Sequence, residues 1–221
     1  MRTYGQYCAL AKALDVLGDR WTLLIVRELM LAGPRRYTDL RNGLPGIATN
    51  LLSERLRELE AAGVVEREEA PPPVATTLFA LTERGHALEP VLDAIGDWGV
   101  PIMAAGPAPG DAFRSRWLAW PAERFLRDGA PGEPPVSVQL SVGEEKGEQP
   151  VIVEAAGGTV RTRAPGPDER PDAQLSGSPH AMLALLGGQI SVKEARRRGL
   201  RVEGDLAALE RMRLVGAAAS A

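Results

Sequence analysis

The chain carries a single cysteine among its 221 residues, so no internal disulfide can form, and a cytoplasmic location is the default expectation. Aromatic residues make up only 5% of it, and apolar residues nowhere run on toward the roughly 18 that a membrane span requires. The opening "MRTYGQYCALAKALD" has neither the unbroken apolar stretch nor the small-residue cleavage site of a secretory signal. Histidine occurs only as His86 and His180, each without a second His or Cys at ligand spacing. No glycine-rich phosphate loop and no nucleophile elbow occurs either. Acidic pairs such as Glu68–Glu69 and Glu144–Glu145 fall at strand ends or turns and read as solvated. Enzyme chemistry, a metal site and a bound cofactor are therefore not expected. Positive charge is scarce too: the formal net charge is −3, and residues 1–98 hold eleven Arg and Lys against fourteen Asp and Glu. Any contact with nucleic acid would have to come from a local basic patch.

With 44% hydrophobic and 25% charged residues, what is present has the composition of a soluble globular protein. Its character changes near residue 104, at the Pro- and Gly-rich "AAGPAPGD". That divides the chain into a domain over 1–104, a linker over 105–112 and a second domain over 113–221. Leu10, Leu14 and Leu17 mark a first helix; Gly18 and Asp19 stop it and cap the next. "RWTLLIVRELML" is apolar on nearly every side and reads as a buried helix. A short helix around "YTDLRNGL" follows, closed by Gly43 and Pro45. "VVERE" and "TLFAL" alternate as two strands of a hairpin across "APPPVA". Thr82 caps a last helix, in which Leu88, Val91, Ile95, Trp98 and Ile102 step by three and four. That is a coiled-coil seam of limited length, with Pro90 expected to kink or delay it.

The stretch "GIATNLLSERLRELEAAGVVER", residues 46 to 67, is the most informative. Leu52, Leu56 and Leu59 give it one apolar face at i, i+4, i+7, and Gly63 stands where a helix C-terminus belongs. The other face carries Thr49, Asn50, Ser53 and Arg57, where a merely solvated helix would more usually be rich in Glu and Lys. With the short helix before it and the tight "GLPGI" between, the pattern is a helix-turn-helix. Its second helix would enter the major groove with its N-terminal residues at the base edges, and the hairpin would be the wing. Thr, Asn, Ser and Arg offer the paired donors and acceptors that base edges match: Asn50 suits adenine, and Arg57 suits guanine or a phosphate. Arg35, Arg36, Arg41, Arg55 and Arg57 stand against only Asp39 and Glu54 and supply the basic patch. Arg36, Thr38 and Arg41, on the preceding helix, complete the DNA-binding candidates.

"CALAKALDVLGDRWTLLIVREL", "RRYTDLRNGLPGI", "LLSERLRELEAAGVVERE" and "FALTERGHALEPVLDAIGDWG" follow one another in that order. From about Tyr7 to Gly99 the chain resembles the HxlR-type winged helix-turn-helix transcription regulators. The resemblance implies a homodimer on double-stranded operator DNA, with one recognition helix per half-site. Terminal helices would pair the subunits, here through Leu10, Leu14, Leu88, Val91, Ile95, Trp98 and Ile102. Three departures bear on contacts. Ala48 stands where the family usually offers a Ser or Thr cap, which passes the cap to Thr49. The wing strand, usually Tyr-containing, reads "FALT", and the wing tip "EEAPPPVATT" has no Arg or Lys. Cys8 falls where members often carry a cysteine, in some a redox or electrophile sensor. Lys12, one turn on, would lower the thiol pKa if both face the same way. The ordinary alternative for Cys8 is a small buried residue of a dimer helix.

After the linker, "SRWLAWPAERFL" is helical and amphipathic, and "VSVQLSV", "PVIVEAA" and "TVRTRA" are strands. From Asp172 onward the order reads strand, helix, short helix, strand, helix, an α+β domain. "EARRR" (194–198) reads as a solvated helix end. "GLRVEGDLAAL" is the most telling piece, since residues 111–215 resemble sterol-carrier-protein-type lipid-binding domains. That resemblance implies a curved sheet and helices around an apolar tunnel. Trp117, Trp120, Phe125, Met182, Leu183, Leu186, Ile190, Leu209 and Met212 are the lining candidates, with ordinary core as the alternative for each.

The expected fold is thus a mainly α winged helix-turn-helix N-terminal domain plus an α+β C-terminal domain of the sterol-carrier-protein type. The expected function is a homodimeric DNA-binding transcription regulator whose C-terminal module takes a small hydrophobic ligand, without a membrane partner. Two further readings stay open: a hydrophobic-ligand carrier whose helical half serves dimerisation, and an enzyme using the C-terminal cavity. The arginine patch favours the first over the second, and the lack of an acid–base or nucleophile set disfavours the third.

Overall fold

Apolar residues at helical spacing build the first of two units, Met1–Ala105 and Gly106–Ala221, in a computed structural model that describes residues 3–70, 76–143 and 149–214. The first unit runs α1 (Ala9–Leu17), α2 (Thr22–Ala32), α3 (Tyr37–Gly43), α4 (Thr49–Ala61), β1 (Val65–Glu69), β2 (Thr77–Leu81), α5 (Glu83–His86) and α6 (Glu89–Gly99), and it closes with a 3-10 stretch at Val100–Ala105. Ile25, Val26 and Leu29 of α2 meet Leu40 of α3 and Leu52, Leu56 and Leu59 of α4, all essentially without solvent exposure. Each such side chain contributes about 1.5–3 kcal/mol by burial. Between α3 and α4 the chain turns at Leu44–Ile47, where the Ile47 N–H donates to the Leu44 carbonyl at 3.1 Å. Pro45 and Gly46 occupy the central positions of that turn. Gly46 has φ +87°, the conformation that the third residue of a type II turn requires. At its other end α4 closes in a Schellman motif: Val64 N donates to Leu59 O at 2.9 Å and Gly63 N to Glu60 O at 3.0 Å.

Several details differ from the sequence expectations. Asp19 does not cap α2; its carboxylate pairs with Arg55, and Trp21, in a left-handed conformation at φ +82°, occupies the cap position. Helix α2 is not buried all round, since Leu24 stays 40% exposed. Arg35 adds an unanticipated bridge to the hairpin, exchanging backbone hydrogen bonds with Phe79 at 2.9 and 2.8 Å. The expected single last helix is broken. The Thr82 hydroxyl does cap its start, accepting from Gly85 N at 3.1 Å, but α5 ends at His86 and α6 begins at Glu89 with Pro90 in its first turn. Proline has no N–H to continue the ladder and its ring excludes the preceding turn, so the helix restarts instead of running through. Leu88, expected in the seam, falls at that break and packs on the domain core with Leu92. The wing tip falls largely on residues 71–75, outside the described residues, as does the Glu144–Glu145 pair.

The second unit is a five-stranded sheet with helices. A 3-10 turn (Ser115–Leu118) leads into α7 (Ala119–Phe125), and then follow β3 (Leu126–Asp128), β4 (Val136–Val142), β5 (Val151–Ala156), β6 (Thr159–Arg163), β7 (Ala173–Gly177), α8 (Pro179–Leu186), α9 (Val192–Arg197), β8 (Arg201–Gly204), α10 (Leu206–Arg211) and β9 (Met212–Leu214). The sheet order is β6-β5-β4-β7-β8, antiparallel except for the parallel β4–β7 pair. Register places Val138, Leu140, Val153, Val151, Ala173, Leu175 and Val202 on one buried face. Gly204 ends β8 at φ +84°, where a Cβ would lie 2.3 Å from the Asp172 carbonyl, and Asp205 then caps α10 by accepting from Ala207 N at 2.8 Å. That explains the Gly-Asp of the "GLRVEGDLAAL" motif. The short pair β3–β9 was not anticipated. Among the described residues, no helix is long and apolar enough to cross a membrane.

One buried ion pair ties this unit together. Arg211 Nε donates to Asp128 at 2.6 Å and Nη2 to its other oxygen at 3.1 Å, while the carboxylate also accepts from Ala130 N and Gly158 N at 2.9 and 3.1 Å. The remaining guanidinium N–H groups reach the Pro134 and Glu133 carbonyls. The Arg211 guanidinium holds the Asp128 carboxyl far below the usual carboxylate range, outweighing the opposing effect of burial. Because the folded-state pKa lies below the unfolded one, the pair's stabilisation is complete above the unfolded carboxylate pKa of about 4 and is lost as pH falls below it. Asp128→Ala should destabilise the chain, since the Arg211 guanidinium then loses its counter-charge. In denaturant titrations of the full chain, the parent's stability should fall between about pH 5 and 3 more steeply than that of the variant. Parallel pH profiles would remove the pair from this role.

Candidate nucleic-acid interface

Helix α4 divides its surface sharply. Leu52, Leu56 and Leu59 are buried, while Thr49, Asn50 and Arg57 are exposed on the other side. Arg36, Thr38 and Arg41 are exposed on and beside α3. The side chains of Arg36, Arg41 and Asn50 have no hydrogen-bond or ion-pair partner among the described residues. Arg57 Nε reaches only the Ser53 carbonyl, at 3.3 Å. Among the described residues, Arg36, Arg41 and Arg57 thus have no acidic partner, and the Asn50 amide is free at the N-terminal end of α4.

Two expected members of the patch are committed elsewhere. Arg55 is only 9% exposed; it pairs with Asp19, with Glu58 at 2.7 Å and with Glu54 at 3.2 Å. It follows Leu52 by three positions and precedes Leu59 by four, so the helix turns it inward and its charge has to be matched there. The basic patch is smaller than the sequence suggested by that one arginine. Ser53 is half-buried, its hydroxyl 3.1 Å from both the Tyr37 hydroxyl and the Thr49 carbonyl. Tyr37, which the sequence reading passed over, donates to that carbonyl at 2.6 Å. The expected transfer of the helix cap to Thr49 does not occur: Ala48 is the N-cap residue and no side chain caps it.

The wing brings one arginine that sequence reasoning missed. Arg67 on β1 is gripped by Glu60 of α4 through two bonds, at 2.6 and 2.9 Å, and stacks over the Phe79 ring at 5.3 Å. Glu60 thereby raises the Arg67 pKa and fixes its guanidinium plane. With Arg36, Tyr37, Thr38, Thr76, Thr77 and Phe79 it lines an open groove of about 480 Å³, of mixed polar and apolar character, between α3 and the wing. A signal was present, since Glu60 and Arg67 flank the hairpin's start, but the pairing needs the α4–β1 turn.

Away from this face, α1 and α6 expose apolar side chains. Leu10 is 68% exposed, Trp98 75% and Ile102 65%, with Leu14, Val91 and Ile95 also exposed. Pro90, Val91, Ala94, Ile95 and Trp98 line a shallow apolar concavity of about 410 Å³ on α6. In the second unit, Met182, Leu186, Leu209 and Met212 are buried, and Trp117, Trp120, Phe125, Leu183 and Ile190 are half-buried. The Trp120 and Phe125 rings meet edge to face at 5.5 Å. In the basic run at 194–198, Arg197 and Arg198 pair with Glu194, and Arg196 donates to the Val202 carbonyl at 3.1 Å.

A helix-turn-helix with a β-hairpin wing, followed by an α+β unit with a mixed sheet, is the architecture of a winged helix-turn-helix transcription regulator joined to a sterol-carrier-type domain. Residues 16–106 match the HxlR-like helix-turn-helix family, and residues 136–215 match the SCP-2 sterol transfer family. The HTH-type transcriptional regulator YvaP of Bacillus subtilis is 42% identical over 87 residues, covering 39% of this chain and 80% of YvaP. YodB of the same organism, also an HTH-type transcriptional regulator, is 38% identical over 86 residues, covering 39% of this chain and 76% of its own. The solved structure of reduced YodB aligns with a TM-score of 0.40 and 34% identity, over 46% of this chain and 100% of that one. The chain belongs to the HxlR-like helix-turn-helix family of transcriptional regulators and carries an SCP-2 domain behind it.

Cys8 lies just ahead of α1 and is exposed in the single chain. Lys12 does not act on it as expected, because its ammonium pairs with Asp15 at 3.3 Å. The thiol is instead drawn below its ordinary value by the Ala11 and Leu10 backbone N–H groups at the open helix end, which outweigh the small effect of burial. A larger thiolate fraction at neutral pH follows. Iodoacetamide should therefore alkylate Cys8 at pH 7 faster in the native chain than in the urea-unfolded chain, followed by mass spectrometry. Equal or slower native alkylation would return the thiol to ordinary reactivity.

Proposed function

We propose that the chain is a homodimeric, DNA-binding transcription regulator whose C-terminal domain binds a small hydrophobic effector and thereby changes DNA affinity. The observation that carries the DNA reading is the free face of α4. Asn50 and Thr49 are exposed at the N-terminal end of a helix held rigidly by three buried leucines, with Arg36, Arg41 and Arg57 unneutralised around them. Asn50 and Arg57 read base edges, Thr49 lies beside them, and Arg36, Thr38 and Arg41 hold phosphates. The exposed apolar residues of α1 and α6 support a two-fold dimer contact, since such clusters on a soluble surface mark association sites. Leu10, Leu14, Val91, Ile95, Trp98 and Ile102 form that contact, and Leu88 braces it from the core side. The SCP-2 match supports a hydrophobic ligand in the second unit, with Trp117, Trp120, Phe125, Leu183 and Ile190 as the accessible part of its lining. The same match favours a second reading, in which that unit only carries its ligand and leaves DNA affinity alone.

Asn50→Ala or Arg57→Ala should cost about 1–3 kcal/mol on duplex DNA from upstream of the chain's own gene and should relax base preference there. Arg36→Ala and Arg41→Ala should weaken cognate and random duplexes alike and flatten the salt dependence by about one unit each. Equal losses on both duplexes for all four variants in fluorescence-anisotropy titrations would dismiss α4 as the reading helix. Coupling between the units demands that a ligand bind the two DNA-affinity states unequally. A long-chain fatty acid as probe should shift the full chain's DNA affinity by about 5–150-fold and leave a chain ending at Ala105 unmoved. A fatty acid that binds while DNA affinity stays constant selects the carrier reading.

A further inference from the structure

We propose that Tyr37 is a positioning residue for DNA reading, its hydroxyl locking the base-reading end of α4 to α3. The inference rests on α4 being the reading helix. Tyr37 opens α3, its ring packed on the unit's core and its hydroxyl reaching across to the first turn of α4. There it donates to the Thr49 carbonyl at 2.6 Å and lies 3.1 Å from the Ser53 hydroxyl, whose proton it can accept. Both partners are distant in sequence, by twelve and sixteen positions, so the contact joins two helices and does not merely shape one.

The first turn of α4 needs such support. A helix N-terminus leaves its first N–H groups unpaired, and a Ser, Thr, Asp or Asn side chain at the cap ordinarily holds one of them. Here the cap residue is Ala48 and supplies nothing, yet the turn that would fray carries Thr49 and Asn50. Tyr37 restores the turn's rigidity from outside the helix, by doubling the load on the Thr49 carbonyl and by turning Ser53 inward. It also fixes that turn to the helix that bears Arg41 and follows Arg36. Phosphate contacts set a protein's register on the duplex, whereas base contacts discriminate and demand closer placement. Loss of the hydroxyl should therefore fall on discrimination and leave general affinity in place.

The test uses the full chain and the conservative variant Tyr37→Phe, which keeps the packed ring. Cognate affinity should fall about 3–10-fold, the effect of one neutral hydrogen bond, with affinity for random duplex and its salt slope retained. Ser53→Ala should give a similar fall, and the double variant should lose no more than either alone, because both remove one linkage. Amide exchange in the free protein should quicken at Leu52 and Ser53, the first amides of α4 with partners inside the helix, in Tyr37→Phe and remain as in the parent along α2. Equal losses on both duplexes, additive losses in the double variant, or unchanged exchange in the first turn would each overturn the lock. A parent chain that binds cognate and random duplex alike would instead overturn the DNA-reading assignment itself. The exchange measurement still decides whether the lock exists, because it needs no DNA, and a Tyr37→Phe chain that failed to fold would leave Ser53→Ala to decide it.

Discussion

Helix α4 has to be core on one side and open on the other, and the rest of the first unit is arranged around that division. Leu52, Leu56 and Leu59 fill the space between α2 and α3, fixing the rotation of α4 about its own axis. Rotation then decides every other fate on the helix. Arg55 shares the buried stripe, so its charge is met by Asp19 and Glu58 and cannot serve a ligand. Asn50 and Arg57 lie on the opposite side and stay exposed. Arg55 is buried while its partners reach solvent, so the contact adds little net stability, but a packing of α4 that took Arg55 from its partners would leave a buried charge unmatched.

The two ends of α4 are secured by different means. Its C-terminus is closed by the chain itself, through Gly63 and the hydrogen bonds of the Schellman motif. Its N-terminus has an alanine at the cap and depends on Tyr37 from a neighbouring helix. The wing side is fastened by Glu60 and Arg67, which bind α4 to β1. The helix is thus held by its leucine face and by polar contacts to α3 and to the hairpin, which leaves its exposed face free of structural duty.

In the second unit the same division of labour recurs. The sheet's buried face is hydrophobic, while the Asp128–Arg211 contact lies at the end of the short β3–β9 pair. That contact also reaches the backbone around residues 130 to 134 and Gly158, so a single carboxylate organises three chain segments. The break between α5 and α6 bears on communication. A continuous rod from the wing onward would transmit displacement directly, whereas a helix interrupted at Leu88 bends there first.

Elements whose signals are local were legible from the residues alone. The i, i+4, i+7 leucines of α4, the strand-like runs of β4, β5 and β6, the Thr82 cap and the Pro45–Gly46 turn each depend on residues within a few positions of one another. The family-specific order of motifs extended that reading to the winged fold and the sterol-carrier-type domain. Tertiary structure alone decided which polar residues are free. Arg55 and Arg57 look alike in sequence, yet one is bound to Asp19, thirty-six positions earlier, and the other is exposed. Ser53 is shared with Tyr37, sixteen positions earlier, which its own helix gives no sign of. The Arg35–Phe79 bridge and the β3–β9 pair join segments too far apart for any periodicity to register. Periodicity reports which way a side chain faces, but only the packing of distant elements decides what it meets there.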